Sequence, residues 1–98
     1  MATYVVLAQF TDQGIRTIKN SPQRASHAAE LAKSFGCEMK DIYWTLGDHD
    51  GVLIFEAPDD ETATTLLLHL GTSGNVHTTT LRAFTAAEMD KILTKVHG

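Results

Sequence analysis

The chain has one cysteine, few basic residues and no long apolar run, and each scarcity excludes a class of protein. A single thiol, Cys37, cannot form an intrachain disulfide, which excludes the cross-linked frameworks of small secreted domains. The eight lysine and arginine residues are scattered and the net charge is −4, so no basic face indicates nucleic-acid binding. No apolar run approaches the ~20 residues of a transmembrane helix.

The N-terminal residues also lack the basic segment of a secretory signal peptide, and these absences together predict a soluble cytoplasmic protein. A length of 98 residues predicts one domain, residues 1–98. So short a chain buries only about two thirds of its unfolded surface, and its own core is marginal. Charged residues are somewhat sparse at 20%, which indicates that a partner covers part of the surface.

Apolar spacing predicts the order β-α-β-β-α-β followed by one further helix. The predicted strands are residues 3–10, 37–46, 52–57 and 76–84. Ser21 is a predicted N-cap and Gly36 ends that helix, while Pro58 and the acidic residues after it begin the next long helix. Thr85 and Glu88 have the spacing of a capping box for the last helix.

This order is the ferredoxin-like α+β plan, in which the first and third strands are central. The sequence agrees, because the first and third predicted strands are apolar on both faces and the other two mix in polar residues. Two helices cover one face of such a sheet and leave the other face exposed. An exposed apolar sheet face is an association site, so we expect a homodimer or higher homo-oligomer, with two sheets face to face as a dimeric α+β barrel.

Alternation along the second strand predicts which side chains face the cleft between subunits. One set has large apolar side chains, which favour packing against the helices: Ile42, Trp44 and Leu46. The cleft then receives the other set: Met39, Asp41, Tyr43 and Thr45. A tyrosine and an aspartate on an inward face can orient a polar small molecule. Alternatively, Tyr43 is an interface aromatic with its hydroxyl at the rim.

The segment Gly47-Asp48-His49-Asp50-Gly51 lies between two apolar strands. His49 is its only group able to transfer protons near neutral pH, and Asp48 or Asp50 can orient the ring. The alternative is a hairpin turn, since Asp and Gly are favoured turn residues. The five histidines lack metal-ligand spacing, and we predict no metal or cofactor.

Three segments together resemble the GYD-domain family: MATYVVLAQFTDQGIRTIKNSP, YWTLGDHDGVLIFEAPDDETA and GNVHTTTLRAFTAAEM. The family's naming segment corresponds to Gly47–Asp50, where Gly47 and Asp50 match and His49 stands where tyrosine is usual. The resemblance implies a dimeric α+β barrel and no particular reaction. A similar hairpin occurs in the effector-binding domains of Lrp/AsnC-like regulators, which use the same sheet plan.

Three hypotheses of function follow. The leading one is a homo-oligomeric small-ligand-binding module whose sheet-lined cleft holds a ligand through Tyr43, Asp41, Asp48 and His77. The second is a small cofactor-independent enzyme, such as a monooxygenase, an isomerase or a YciI-like protein, with His49 as base and Asp50 or Asp48 orienting it. The third is a purely structural assembly partner. None involves nucleic acid or a membrane.

Overall fold

The structure is a computed structural model and describes residues 1–97. The predicted order is confirmed, with a short helix, α1, and a 3-10 turn after the first strand. The strands are β1 (Ala2–Phe10), β2 (Glu38–Trp44), β3 (Gly51–Ala57) and β4 (Val76–Ala83). The helices are α1 (Asp12–Arg16), the 3-10 turn (Ile18–Asn20), α2 (Ser21–Ser34), α3 (Asp60–Thr72) and α4 (Ala86–Leu93).

The four strands form one antiparallel sheet in the order β2-β3-β1-β4. The prediction that the first and third strands are central is therefore confirmed. Val6 of β1 lies opposite Leu53 of β3 on one side and Thr80 of β4 on the other. Central strands exchange hydrogen bonds on both edges, and the helix-side residues of β1 and β3 are apolar because they pack in the core.

The core lies between one sheet face and helices α2 and α3. Phe55, Leu66 and Val6 are its largest fully buried side chains. Each contributes about 1.5–3 kcal/mol through removal of its apolar surface from water. Tyr4 stacks on Phe55 with 5.2 Å between ring centroids, and Ala32 brings α2 close to the sheet.

Strand β2 contains a β-bulge that changes which face Met39 occupies. The register jumps between Met39, opposite Phe55, and Asp41, opposite Ile54. An extra residue on one strand reverses the alternation of side chains before it. Met39 therefore packs against the helix-side core, and the prediction that it faces the subunit cleft is wrong.

The end of β2 agrees with the prediction for Trp44 but not for Leu46. The Trp44 indole Nε1 donates to the Ser21 hydroxyl on α2 at 2.7 Å, so Trp44 faces the helices as expected. Ser21 is the first residue of α2 and not its N-cap, which is Asn20. Leu46 lies beyond the end of β2 and is fully exposed, so its predicted packing against the helices is wrong.

Helix α4 is amphipathic but leaves its apolar residues in solvent. The predicted capping box is confirmed: Glu88 N donates to Thr85 Oγ1 at 3.1 Å, and Thr85 N donates to Glu88 Oε1 at 2.9 Å. Met89, Ile92 and Leu93 remain 38–50% exposed. Within residues 1–97, no helix is long and apolar enough to cross a membrane.

Candidate functional site

The hairpin of residues 45–50 connects β2 to β3 and is closed by its own backbone. Thr45 N donates to the Asp50 carbonyl at 3.0 Å, and Thr45 Oγ1 donates to the His49 carbonyl at 2.6 Å. Gly47 has φ +118°, a conformation that side chains disfavour. The hairpin is thus an ordered turn with an internal hydrogen-bond network.

Asp50 fastens this hairpin to the end of β1. Its Oδ2 accepts the Phe10 N–H at 2.8 Å, and its own N–H donates to the Ala8 carbonyl at 2.8 Å. Nearby, Gln9 Nε2 donates to the Asp48 carbonyl at 2.8 Å. One carboxylate oxygen of Asp50 is therefore occupied by a structural hydrogen bond.

His49 is half-buried on the same hairpin. Within residues 1–97, its imidazole forms no hydrogen bond to a carboxylate of Asp48 or Asp50 that meets ordinary geometry. Its carbonyl, not its ring, accepts the bond from Thr45. Adjacency in sequence does not bring these groups together as a His–Asp pair in the single chain.

The sheet face opposite the helices, called here the open face, carries half-buried apolar side chains from both central strands. They alternate with the core residues and are Val5, Leu7, Val52 and Ile54. Leu81 of β4 lies opposite Val5 and is 49% exposed. The open face is apolar along its centre.

Three of the predicted ligand-binding residues lie on the open face. Tyr43 lies opposite Val52, and Asp41 opposite Ile54. The Tyr43 hydroxyl lies 3.4 Å from Asp41 Oδ1, a long hydrogen bond. His77 is on β4 and exposed, on the same side of the sheet as Leu81. The structure thus places the polar groups of β2 and β4 on either side of an apolar centre.

The backbone of Asp48 is linked to β1 through Gln9. Gln9 lies opposite His77 in the β1–β4 ladder, and the same side chain binds the Asp48 carbonyl. The hairpin and His77 therefore lie at the same end of the sheet. Asp41 lies farther along β2, two residues from Tyr43.

Among residues 1–97, no group of three or more His, Cys, Asp or Glu side chains is placed to hold a metal ion.

A cluster around the buried Tyr4, at the opposite end of β1, was not predicted. The Tyr4 hydroxyl donates to Asp60 Oδ1 in the first turn of α3. Burial, together with the Asp60 carboxylate, raises the pKa of Tyr4 from 10.0 to about 12. The Arg82 guanidinium lies 5.7 Å from the centre of the Tyr4 ring and 4.5 Å from that of Phe84. The apolar pattern of β1 gave no signal of this polar partner.

A second unpredicted feature is a groove between α2, α3 and the helix side of the sheet, called here the interhelical groove. Its volume is about 920 Å³. Its floor and walls include Ala8, Leu31, Leu67 and Leu70. The sequence carried one indication of this groove, the helical spacing of alanines in α2, because small side chains leave space beside a helix.

A family model described as the GYD domain matches residues 4–93. The chain belongs to the GYD-domain family. The resemblance noted from the three sequence segments is thereby confirmed. The match includes the sheet from Tyr4 onward, the hairpin and α4, so the site described above lies within the family's shared domain.

This GYD-domain protein has a relative in Thermus thermophilus, which is named glutamine synthetase and cystathionine beta-lyase binding protein. It is 37% identical over 90 residues, which cover 91% of this chain and 95% of the relative.

Solved structures share the fold. A feast or famine regulatory protein from M. tuberculosis, complexed with L-methionine, aligns with a TM-score of 0.67 at 19% identity. The alignment covers 88% of this chain and 52% of the regulator, so the GYD-domain chain spans about half of that protein. A structure from Thermus thermophilus aligns with a TM-score of 0.56 at 23% identity, over 88% of this chain and 96% of the other. These likenesses confirm the ferredoxin-like α+β architecture.

Proposed function

We propose that this GYD-domain protein is a homo-oligomeric module that binds a small organic ligand in a cleft between subunits. The observation that carries the proposal is the open face, whose apolar centre has polar groups on either side. The ligand's apolar part would lie on the face, and Tyr43, Asp41, Asp48 and His77 would bind its polar part. A few convergent polar groups around apolar surface are typical of small-molecule sites.

Thermal unfolding in the presence of a metabolite library tests this proposal. A ligand at a hundredfold excess over its dissociation constant is expected to stabilise the protein by about 2.7 kcal/mol. Tyr43→Ala and His77→Ala should weaken the response to the same compound. His97→Ala, at an exposed histidine outside the open face, is the matched control. A response that survives both cleft substitutions would contradict the assignment.

Binding to a metabolic enzyme is a second candidate function, and the name of the 37% identical relative favours it. Its test is co-sedimentation of this protein with glutamine synthetase and with cystathionine beta-lyase of the same organism. A stoichiometric complex with either enzyme supports this function, and separate sedimentation of all components counts against it. The enzymes' activities, measured with and without this protein, would show whether binding regulates them.

Catalysis by His49 with Asp50 is the third candidate. It requires a carboxylate to reach the imidazole, a contact that residues 1–97 of one chain do not make in this structure. A partner subunit would have to supply that carboxylate or change the hairpin's conformation. His49→Gln should then abolish turnover of a ligand found in the library screen. Unchanged turnover in His49→Gln would reject His49 as the base. If the native protein converts no bound compound, catalysis is rejected and only the ligand-binding and assembly functions remain.

A further inference from the structure

The interhelical groove is a second concave surface, on the side of the sheet away from the open face. Ala8 lies on its floor, Leu31 of α2 forms one wall, and Leu67 and Leu70 of α3 form the other. These leucines are half-buried, so the groove is accessible and predominantly apolar. Its volume of about 920 Å³ falls within the range of small-molecule sites.

The groove exists because α2 presents small side chains to the sheet. Ala25 and Ala28 both line it, one helical turn apart on the same face. Neither reaches across to α3, and the space between the helices stays open. Near Ala25, the Ser21 hydroxyl is already bound by the Trp44 indole, which fixes the first turn of α2.

Arg24 supplies a cation at this groove. Its Nη1 donates to the Thr17 carbonyl at 2.9 Å and to Thr17 Oγ1 at 3.0 Å, and its Nη2 lies 3.3 Å from the Gly14 carbonyl. All three acceptors are neutral. Among residues 1–97, Arg24 forms no ion pair, so its guanidinium is held in place while its charge is not neutralised.

The acidic lining is limited to Asp50 among the described residues. One oxygen of that carboxylate, Oδ2, already accepts the Phe10 N–H. The groove therefore combines an apolar body with an anchored, unpaired guanidinium. Arginine binds carboxylates with strong, charge-assisted and often bidentate hydrogen bonds.

We propose that the interhelical groove binds a small amphipathic carboxylate. The apolar part of the ligand lies between Leu31 and Leu70, and its carboxylate binds the Arg24 guanidinium. This site differs from the proposed cleft because it is complete within one chain and lies on the other side of the sheet.

Titration with decanoate, followed by the backbone amide signals of the full chain in NMR, tests the proposal. Saturable shifts are expected around Arg24, Ala28 and Leu70. Decanol has the same tail without the charge and should bind at least tenfold more weakly. Arg24→Gln should lower decanoate affinity at least tenfold without changing decanol affinity. Arg16→Gln, at an exposed arginine outside the groove, should change neither.

Ala25→Phe is a second variant that keeps the test decisive if Arg24→Gln disturbs α1. The added ring should fill part of the groove and weaken both ligands. Three results would overturn the proposal: no saturable binding, equal affinity for decanoate and decanol, or tighter binding of decylammonium. Shifts at Val5 and Ile54 instead would move the ligand to the open face, rejecting the groove while supporting the cleft.

Discussion

His49 and Asp50 are neighbours on one hairpin, yet their side chains differ in the hydrogen bonds that they form. Asp50 completes the end of β1 by accepting the Phe10 N–H, while the His49 ring has no such task in the described chain. The turn chemistry of Asp and Gly predicted that this segment would be a hairpin. The partner of Asp50 was not predictable, because Phe10 is forty residues away and local spacing carries no information about it.

The hydrogen bond from Phe10 predicts that Asp50 contributes to stability. Asp50→Ala leaves a half-buried N–H without its acceptor and should cost about 1.5–3 kcal/mol of unfolding free energy, measured by urea denaturation. Asp50→Asn keeps an acceptor oxygen and should cost less. Asp48→Ala is the matched control, since only the Asp48 backbone is bound to Gln9. Equal losses at both aspartates would contradict the structural role of Asp50.

Tyr4 predicts a loss of stability at high pH. Burial first, and the Asp60 carboxylate second, raise its pKa from 10.0 to about 12, so the folded state favours the neutral phenol. The stabilising contribution is complete below the unfolded pKa of about 10 and is lost as pH rises through about 12. Ultraviolet absorbance should show tyrosinate forming at Tyr4 with a midpoint near this value. Tyr4→Phe should remove that step and the associated fall in stability, whereas Tyr43→Phe should retain both.

At the scale of elements, period-two and helical spacing identified every strand and long helix, because burial imposes those periods on the sequence. Strand β2 shows what spacing misses. Its alternation assigned Ile42 and Trp44 correctly, but the bulge after Met39 reversed the face of that residue. Lys40, inside the bulge, interacts with Glu38 and Glu56 at 3.2 and 3.7 Å, contacts that the pattern of apolar residues did not indicate.

The docking of α1 onto the start of β4 depends on a glycine. A Cβ on Gly14 would lie 2.0 Å from the Asn75 carbonyl oxygen, which also accepts the Thr11 N–H at 3.1 Å. Gly14→Ala should therefore cost about 1–3 kcal/mol through overpacking, measured by urea denaturation. Gly71→Ala is the matched control, because a Cβ there meets nothing within 4 Å and should stabilise α3 by up to about 1 kcal/mol. If Gly14→Ala leaves the free energy of unfolding unchanged, residues 74–75 can move away at little cost and the prediction is wrong.

At the scale of the whole molecule, the sequence predicted two layers and an uncovered sheet face, and the structure bears out both within one chain. What covers that face depends on a second molecule, about which a single sequence holds only indirect information. Helix α4 does not bury its own apolar residues against the described chain, and Leu81 remains exposed on the open face. Both features favour the proposed self-association, since exposed apolar patches mark interaction surfaces.

A matched pair of leucines tests that association. Leu81 lies on the open face and is 49% exposed, while Leu68 lies on α3, on the helix side, and is 67% exposed. Leu81→Glu places a charge where two sheets would meet, and burying an unpaired carboxylate is costly. Sedimentation velocity should show an oligomer for the native chain and for Leu68→Glu, but a 10.7 kDa monomer for Leu81→Glu. The native melting temperature should also rise with protein concentration, because assembly stabilises the folded state by mass action. If Leu68→Glu dissociates the oligomer and Leu81→Glu does not, the subunits meet through the helices and the cleft on the open face must be abandoned.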